Sequence, residues 1–279
     1  METRFNKKVQ KHRRRLFRGD WQEKLPVGPV FLCAGLLLLI LLIIWINEPS
    51  LSALNNADLD LVRAKGGLKV GVDENLYGLH QQGQGLETEI SAALSEFLFS
   101  ASDACESVPV TRQTAQWRMA DGMIDLAIVS MSKFSSKEYA ATTMPFYTDA
   151  VVLVGYGAGS LQNKRIGGLR NTDAYKALLQ YQEDEVPSIS ICPYAAYYDM
   201  LVALRAGTID YAAMPRTAAL SYMDEDMLLY PGHIATVQYH IMAPATEKAL
   251  IELLDALLVT WAQDGTLRSW YEQYDLLYE

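Results

Sequence analysis

The sequence predicts an α/β fold with two lobes, and two observations lead to this prediction. Short apolar segments typical of buried strands alternate with segments of helical periodicity, which favours parallel βαβ units. One strand-and-turn pattern also occurs twice, about 85 residues apart, which indicates two similar lobes. A long uncharged segment near the N-terminus predicts one transmembrane helix before the two-lobed domain.

The predicted elements begin with the strand "LKVGVD" (68–73) and a helix whose apolar residues 86, 90, 93, 94, 97 and 98 form one face. The further strands are "SVPVT" (107–111), "IDLAIVS" (124–130), "AVVLVGY" (150–156), "RIGGL" (165–169), "SISIC" (188–192) and "IDYAAM" (209–214). Helices are predicted at 173–182 and 195–206. A last helix carries apolar residues at 250, 253, 254, 257, 258 and 261 and ends at Asp264-Gly265.

The repeated pattern joins the end of a helix to a strand. "ADGMIDLAIVSM" (120–131) and "RAGTIDYAAMP" (205–215) both run through Gly-x-Ile-Asp into an apolar strand. Gly122 and Gly207 fit the position after a helix, where a left-handed conformation favours glycine. Because Gly-x-Ile-Asp is also a common helix-to-strand turn, the pattern indicates two lobes only together with the alternation of strands and helices.

Length and charge limit the function classes. With 279 residues, 50% of them hydrophobic, the chain is long enough for two lobes that each bury a core. The first 26 residues hold nine basic and three acidic residues, whereas the remainder holds 15 and 30. An acidic body argues against nucleic acid as a partner, because phosphate binding needs a basic face.

The uncharged segment Val27–Ile46 is long enough to cross a membrane. Its 20 residues would span about 30 Å as a helix, and Trp21 and Trp45 flank it as interfacial aromatics do. Basic residues crowd its N-terminal side, which places the N-terminus in the cytoplasm and the large domain in the periplasm of a bacterial inner membrane. A cleaved signal peptide ending near Ser50-Leu51-Ser52 is the alternative, but the apolar segment is longer than such peptides use.

These observations divide the chain into five parts. They are a basic cytoplasmic tail (1–26), a transmembrane helix (27–47), a polar linker (48–66), lobe 1 (67–153 and 243–279) and lobe 2 (154–242). Cys105 and Cys192 fall in different lobes, and we expect no disulfide between them because it would pin the lobes together. The four histidines show no metal-ligand spacing, so neither a metal nor another cofactor is predicted.

From about residue 67 to 276 the chain resembles the type 3 extracytoplasmic solute-binding proteins, which serve amino-acid ABC importers. The matching segments are "LKVGVD", "GLETEISAAL", "GMIDLAIVSM…SKEYAATTMPFY", "AGTIDYAAMP" and "WAQDGTLRSWYEQYDL". The resemblance implies a periplasmic-binding-protein-like (type II) domain, in which two α/β lobes joined by two strands close over a ligand. Such ligands bind beyond the carboxyl ends of strands, where Ser130 and Met214–Arg216 are expected.

The chain departs from this family at the residues that hold the ligand. In amino-acid receptors an arginine clamps the ligand carboxylate at the position of Lys137, and lysine lacks the bidentate fork. An acidic residue usually holds the ligand ammonium where this chain has Pro215, followed by Arg216. The Thr172 position matches the family, but Asn171 and Asp173 replace the glycines beside it. An ordinary α-amino acid is therefore not the expected ligand.

The resemblance nevertheless suggests which residues line the cleft. They are Asp73, Tyr77, Trp117, Ser130, Ser132 and Lys137 in lobe 1, and Arg170, Thr172 and Arg216 in lobe 2. Lys137 and Arg216 facing each other would suit an anion that lacks an amine. The alternative interpretation is solvated surface charge for these two residues, and packing for Trp117 and Tyr77.

Three functions are compatible with these patterns. The first is a membrane-tethered, non-enzymatic accessory, scaffolding or sensing subunit of an inner-membrane complex, contacted through the transmembrane helix and the acidic domain. The second is an ABC-importer receptor for an anionic or atypical amino-acid-like solute. The third, an enzyme, has less support: Ser130-Met131-Ser132-Lys133 fits the Ser-x-x-Lys motif of penicillin-binding enzymes, but no Lys-Thr-Gly follows.

Overall fold

The computed structural model describes residues 56–73, 76–131 and 140–276. The chain divides into two units, Met1–Glu48 and Pro49–Glu279, and every described residue belongs to the second. The basic tail and the predicted transmembrane helix at 27–47 therefore lie outside the described residues. Within the described ranges, no helix combines the length and apolar character needed to cross a bilayer.

The described part of the chain contains ten strands and eight helices. The strands are β1 (Leu68–Val72), β2 (Cys105–Pro109), β3 (Leu126–Met131), β4 (Ala140–Thr142), β5 (Tyr147–Gly155), β6 (Arg165–Leu169), β7 (Ser190–Tyr194), β8 (Tyr211–Pro215), β9 (Leu228–Leu229) and β10 (Ala235–Pro244). The helices are α1 (Asn56–Ala64), α2 (Leu86–Phe99), α3 (Arg112–Ala120), α4 (Asp173–Asp184), α5 (Tyr197–Arg205), α6 (Arg216–Tyr222), α7 (Lys248–Gln263) and α8 (Thr266–Gln273).

The strands form two parallel groups joined by two long strands. The order along the hydrogen-bonded sheet is β2-β1-β3-β10-β5-β8-β6-β7, with β4 on β10 and β9 on β5. β1 is parallel to β2 and β3, and β6 is parallel to β7 and β8. The antiparallel strands β5 and β10 pair with each other between these groups. This arrangement confirms the predicted mixed α/β architecture with two parallel βαβ lobes.

The helices cover the parallel strands with apolar faces. In α2 the residues Leu86, Ile90, Leu94 and Leu98, spaced one turn apart, are all at most 4% exposed. They pack in one core with Leu68 and other buried residues of β1. Burial of each such leucine or isoleucine side chain contributes about 1.5–3 kcal/mol. The spacing of these side chains along one face is the pattern from which the helix was predicted.

The two Gly-x-Ile-Asp segments have the same structure in both lobes. Gly122 and Gly207 have φ values of 69° and 66°, as expected after a helix end. The carboxylate of Asp125 accepts the backbone N–H of Lys69 at 2.9 Å, and that of Asp210 accepts the backbone N–H of Arg165 at the same distance.

Each aspartate thus ties the strand after a helix to its parallel neighbour, β3 to β1 and β8 to β6. The Arg165 backbone N–H is the main reason why the pKa of Asp210 is lowered. The internal repeat therefore has the same structural role in both lobes, which is to hold two parallel strands together.

Several elements were not predicted, among them α1 and β10. Residues 56–64, which we predicted to belong to a polar linker, form α1, whose Leu59 and Val62 are each 2% exposed. β10 was not singled out because polar residues such as Gln238 interrupt its apolar pattern. Both elements are stabilised by contacts with distant parts of the chain, which no local pattern records.

Candidate functional site

A cleft of about 610 Å³ opens between the two parallel groups of strands. It is lined by Asp73, Leu76, Thr111 and Ser130 on one side, by Leu169–Ala174, Ala195–Tyr198, Pro215 and Tyr222 on the other, and by Tyr239 of β10. Most of these residues lie at or just beyond the carboxyl ends of strands, where α/β folds bind ligands. The volume falls within the range of about 300–1,000 Å³ that is usual for small-molecule sites.

The first group of strands contributes Asp73 and Ser130 to the cleft. Asp73 directly follows β1, and Ser130 lies near the end of β3. Thr111, at the start of α3, caps that helix by accepting the backbone N–H of Thr114. Of these, Asp73 supplies a negative charge to the cleft.

The second group contributes a loop between β6 and α4 whose polar groups are partly used to hold its own shape. The hydroxyl of Thr172 donates to the carbonyl of Leu169 at 2.6 Å and accepts the N–H of Tyr175 at 3.1 Å. The N–H of Arg170 donates to the carbonyl of Tyr194 at 2.9 Å, which ties the loop to β7. Thr172 is therefore the N-cap of α4, and its hydroxyl has already used its donor and one of its two acceptor positions.

Tyrosines form much of the remaining wall. The rings of Tyr197 and Tyr222 lie 5.2 Å apart, and Tyr198 is 74% exposed at the start of α5. Burial, followed by the charge of Asp73, raises the pKa of both Tyr197 and Tyr222. Burial and the charge of Asp149 raise the pKa of Tyr239. These phenols therefore remain protonated and can donate hydrogen bonds.

A buried carboxyl group connects a joining strand to the second lobe. Asp149 of β5 has no exposed surface and accepts two hydrogen bonds from Thr217, from its N–H at 3.1 Å and its hydroxyl at 2.7 Å. Burial raises the pKa of Asp149, and the bonds from Thr217 oppose this effect. The pair connects β5 to α6 directly beside the cleft.

Glu87 is a second carboxyl group without exposed surface, close to Asp73. Burial, and after it the charge of Asp73, raises the pKa of Glu87 well above its ordinary value. The nearby backbone N–H of Asp73 lowers this pKa to a smaller extent. Two acidic groups thus influence each other at the start of α2 and the end of β1.

The structure brings together four of the residues predicted to form the cleft: Asp73, Ser130, Arg170 and Thr172. Ser132 and Lys137 lie outside the described residues, so their predicted roles stay predictions. Ser130 belongs to a strand, which differs from the helical Ser-x-x-Lys motif of penicillin-binding enzymes.

Three predicted residues lie elsewhere. Trp117 is 49% exposed on α3, with the guanidinium of Arg118 5.8 Å from its ring centre. Tyr77 donates its backbone N–H to the carbonyl of Thr217 at 3.1 Å, but it is not among the lining residues. Arg216 lines a different cavity, whereas its neighbour Pro215 lines the cleft.

The sequence analysis missed the tyrosines and both buried carboxyl groups. Asp149 left a signal, since it is an acidic residue next to the apolar run "AVVLVG". Glu87 left none, because Glu89, two positions later, looks equivalent in the sequence but stays partly exposed. No cluster of three His, Cys, Asp or Glu residues that could hold a metal occurs in the described part.

Comparison with known proteins places the fold but not the function. No protein-family model and no curated protein matches the chain. Among solved structures, a mutant of ArgBP from T. maritima superposes with a TM-score of 0.64 at 17% identity, covering 79% of this chain and 100% of its own. The solute receptor for L-cysteine of Neisseria gonorrhoeae gives 0.64 at 16% identity, covering 77% and 92%.

A third similar structure is the ancestral amino-acid-binding protein AncCDT-1, described as a precursor of cyclohexadienyl dehydratase. Its TM-score is 0.63 at 16% identity, and the match covers 77% of this chain and 98% of that one. At these identities the likeness establishes the fold alone. The described domain has the two-lobed fold of amino-acid-binding solute-binding proteins.

Proposed function

We propose that the chain is a non-enzymatic, membrane-tethered solute-binding-protein-like domain with an altered cleft. In this proposal it serves as a sensing or accessory subunit of an inner-membrane complex. The observation that carries the proposal is Pro215 in the wall of the cleft. By resemblance, amino-acid receptors have at this position the acid that holds the ligand ammonium group.

The loss of this acid argues against an ordinary α-amino acid as ligand. A buried ammonium group without its acidic partner costs several kcal/mol, as when one member of a buried ion pair is removed. Asp73 and Asp173 do line the cleft, but Asp173 lies 3.4 Å from the ammonium of Lys176. A cleft of about 610 Å³ with Pro215 at the position of that acid supports sensing of another solute.

The membrane tether is the second part of the proposal. It is supported by the uncharged segment 27–47 and by the nine basic residues before it. A tether raises the effective concentration of the domain for a membrane neighbour, which a freely diffusing receptor does not need. The partner is proposed to contact the transmembrane helix and the acidic domain.

An ABC-importer receptor for an anionic or atypical amino-acid-like solute remains the second candidate. It is favoured by Arg170, a basic residue that lines the cleft. An enzyme on the same fold is the third candidate, and the likeness to a dehydratase precursor at 16% identity supports it only at the level of fold.

The proposal is tested by thermal unfolding of the full chain in detergent with each of the common L-amino acids. A ligand at 100 times its Kd stabilises a protein by about 2.7 kcal/mol, or roughly 5–10 °C in Tm for a domain of this size. We expect no such shift with any L-amino acid. A shift that disappears in Asp73→Asn would show an amino-acid receptor and contradict the altered cleft.

The variant Pro215→Asp serves as a matched comparison. It returns an acid to the cleft, and Pro215 is the N-cap of α6, a position where aspartate is favoured, so the fold should tolerate it. If the missing acid excludes amino acids, this variant should gain a Tm response that the natural chain lacks. Isolation of the full chain in mild detergent then separates the partners: an importer permease supports the second candidate, and another membrane complex supports the first.

A further inference from the structure

A second cavity of about 550 Å³ lies against the two joining strands. Its floor consists of Thr148, Ala150 and Val152, which alternate along β5 and therefore share one face of the strand. Thr236 of β10 pairs directly with Ala150 and adds to the same floor. Asp149, with the opposite alternation, belongs to the other face, beside the main cleft.

A short loop closes one side of this cavity. Residues 229–233 lie over β5 because the N–H of Tyr230 donates to the carbonyl of Leu153 at 2.8 Å. The N–H of Ile234 donates in the same way to the carbonyl of Val151 at 2.9 Å. The ring of Tyr230 packs edge-on against Tyr211, with 5.6 Å between ring centres. The wall is therefore held by backbone and aromatic contacts.

The described lining of this cavity contains one arginine, one histidine and no acidic residue. Arg216 lines it just beyond β8, whose last residue Pro215 pairs with Val151, and His233 lines it from the loop. Thr148 and Thr236 add two hydroxyl groups, and no aspartate or glutamate is among the described lining residues. The lining therefore offers several hydrogen-bond donors to a ligand.

The rest of the lining is apolar. Val152, Leu229 and Pro231 contribute aliphatic surface, and Tyr230 contributes an aromatic ring. Arginine binds carboxylates with two parallel N–H groups, and a histidine ring has at least one N–H to donate in every protonation state. The combination suits a small molecule with an anionic head and an apolar body.

We propose that this second cavity is a binding site for a small carboxylate that carries an apolar group, distinct from the main cleft. Arg216 and His233 bind the carboxylate, Thr148 and Thr236 supply further hydrogen bonds, and the apolar body packs on Val152 and the loop. The sequence analysis placed an anion between Lys137 and Arg216 in the cleft. Because Arg216 lines the second cavity instead, we place the bound anion on the opposite face of β5.

A ligand bound in the second cavity would also affect the main cleft. Arg216 precedes Thr217, which holds the buried Asp149, and the charge of Arg216 lowers the pKa of that carboxyl group. A carboxylate bound to Arg216 would therefore lie one residue from Thr217, whose hydrogen bonds to Asp149 link α6 to β5. Because β5 is one of the two strands that join the lobes, the ligand is placed to influence their relative motion.

The site is tested on the full chain in detergent with benzoate and hexanoate as probes, and with benzamide and hexanamide as neutral controls. Each is added at about 10 mM, enough to detect a millimolar Kd by calorimetric titration. We expect binding of the acids and at least tenfold weaker binding of the amides. Equal binding of acids and amides, stronger binding of inorganic phosphate than of benzoate, or no binding of either acid would overturn the proposal.

Two variants and one control localise the binding. Arg216→Gln and His233→Gln should each weaken benzoate binding, the former at least tenfold, because a charged hydrogen bond is lost. His233 is exposed, so its replacement does not endanger the fold. Arg268→Gln removes the same charge from a side chain that is 77% exposed on α8 and should leave benzoate binding unchanged. Unchanged binding in both cavity variants would refute the site.

Hydrogen exchange separates this site from the main cleft. Benzoate should slow exchange most in peptides covering 147–155 and 228–237, and any change at 169–174 and 195–198, transmitted through β5, should be smaller. Protection of the second pair of segments instead would place the carboxylate in the cleft and overturn this inference. Because the amino-acid experiment above reports on the cleft, failure of one proposal leaves the other open to its own test.

Discussion

Glu87 and Asp149 show how two fully buried carboxyl groups in one domain differ in their hydrogen bonding. Thr217 gives Asp149 two donors at 2.7 and 3.1 Å. For Glu87, the backbone N–H of Asp73 is the donor that lowers the pKa, and its effect is smaller than those of burial and of the Asp73 charge. A buried ionised carboxylate with so little donor support is costly, so the folded protein favours protonated Glu87, and this is the reason for its raised pKa.

Glu87→Gln is therefore expected to change the pH dependence of stability. Because the pKa of Glu87 is raised in the folded state, the folded protein binds this proton more tightly than the unfolded chain. Its contribution to stability is complete below the ordinary glutamate pKa of about 4.3 and is lost as pH rises through the folded value. Glutamine keeps the shape of the protonated side chain but does not titrate.

The measurement is Tm of both proteins between pH 4 and 8. The variant should match the natural chain near pH 4 and exceed it increasingly toward pH 8. Each pKa unit corresponds to about 1.4 kcal/mol, or roughly 3–5 °C in Tm for a domain of this size. Glu89→Gln, on the same helix but hydrogen-bonded to the Tyr274 hydroxyl at 2.6 Å, is the control for replacing a glutamate in α2. A difference in Tm that does not grow with pH would contradict the assignment.

At the scale of elements, the turn before α2 determines how the first lobe reaches the cleft. The N–H groups of Leu86 and Glu87 donate to the carbonyls of Gly78 and Leu79 at 2.9 and 3.0 Å, which folds residues 76–85 against the helix start. Gly85 has φ 133°, and a Cβ there would overlap the backbone carbonyl of Leu79. Asp73 and Leu76, which line the cleft, lie at the beginning of this turn.

Gly85→Ala should consequently be strongly destabilising, whereas Gly83→Ala should be mild. Gly83 also has a positive φ, of 77°, but a Cβ there meets no atom within 4 Å. Backbone strain alone costs about 1–3 kcal/mol, and the overlap at Gly85 adds to it. Denaturant unfolding should show a loss at least about 2 kcal/mol larger for Gly85→Ala. Equal losses would mean that the turn adjusts and that the contact with Leu79 is not decisive.

At the scale of the whole molecule, the order of the strands separates the two cysteines. Cys105 lies on β2 and Cys192 on β7, the two ends of the eight-strand path in the sheet. With neighbouring strands about 4.8 Å apart, seven steps separate them by roughly 30 Å along the sheet, whereas a disulfide needs Cα atoms within about 7 Å. Both thiols are free in the structure.

We expect alkylation of the denatured full chain without reductant to label the peptides of both Cys105 and Cys192. Burial raises the pKa of Cys105, so its thiol should react slowly in the folded protein and rapidly after unfolding. Non-reducing mass spectrometry is the direct measurement. A cross-linked peptide that contains both cysteines would contradict the strand order described above.

The fold was largely predictable because its elements have regular patterns. The apolar stripe of α2, the strand "RIGGL" at 165–169 and the paired Gly-x-Ile-Asp turns each follow from local periodicity or turn chemistry. α1 was missed because Leu59 and Val62 are two apolar positions in a short polar segment, and only their burial against other helices identifies the element.

The cleft was predictable where a strand end supplies a residue, as for Asp73 and Ser130, since strand direction alone places these side chains at one edge. It was not predictable where neighbouring residues point to opposite sides. Pro215 and Arg216 are adjacent in the chain, yet one lines the cleft and the other the second cavity.

The sequence by itself thus determined the two lobes and the order of most elements, because periodicity and turns depend on neighbours along the chain. Only the tertiary structure decided that Glu87 is buried while Glu89 is not, that tyrosines from three elements share the cleft, and that Arg216 belongs to a second cavity. These outcomes depend on which face of an element meets a distant partner, and burial by a distant partner leaves no local pattern in the sequence.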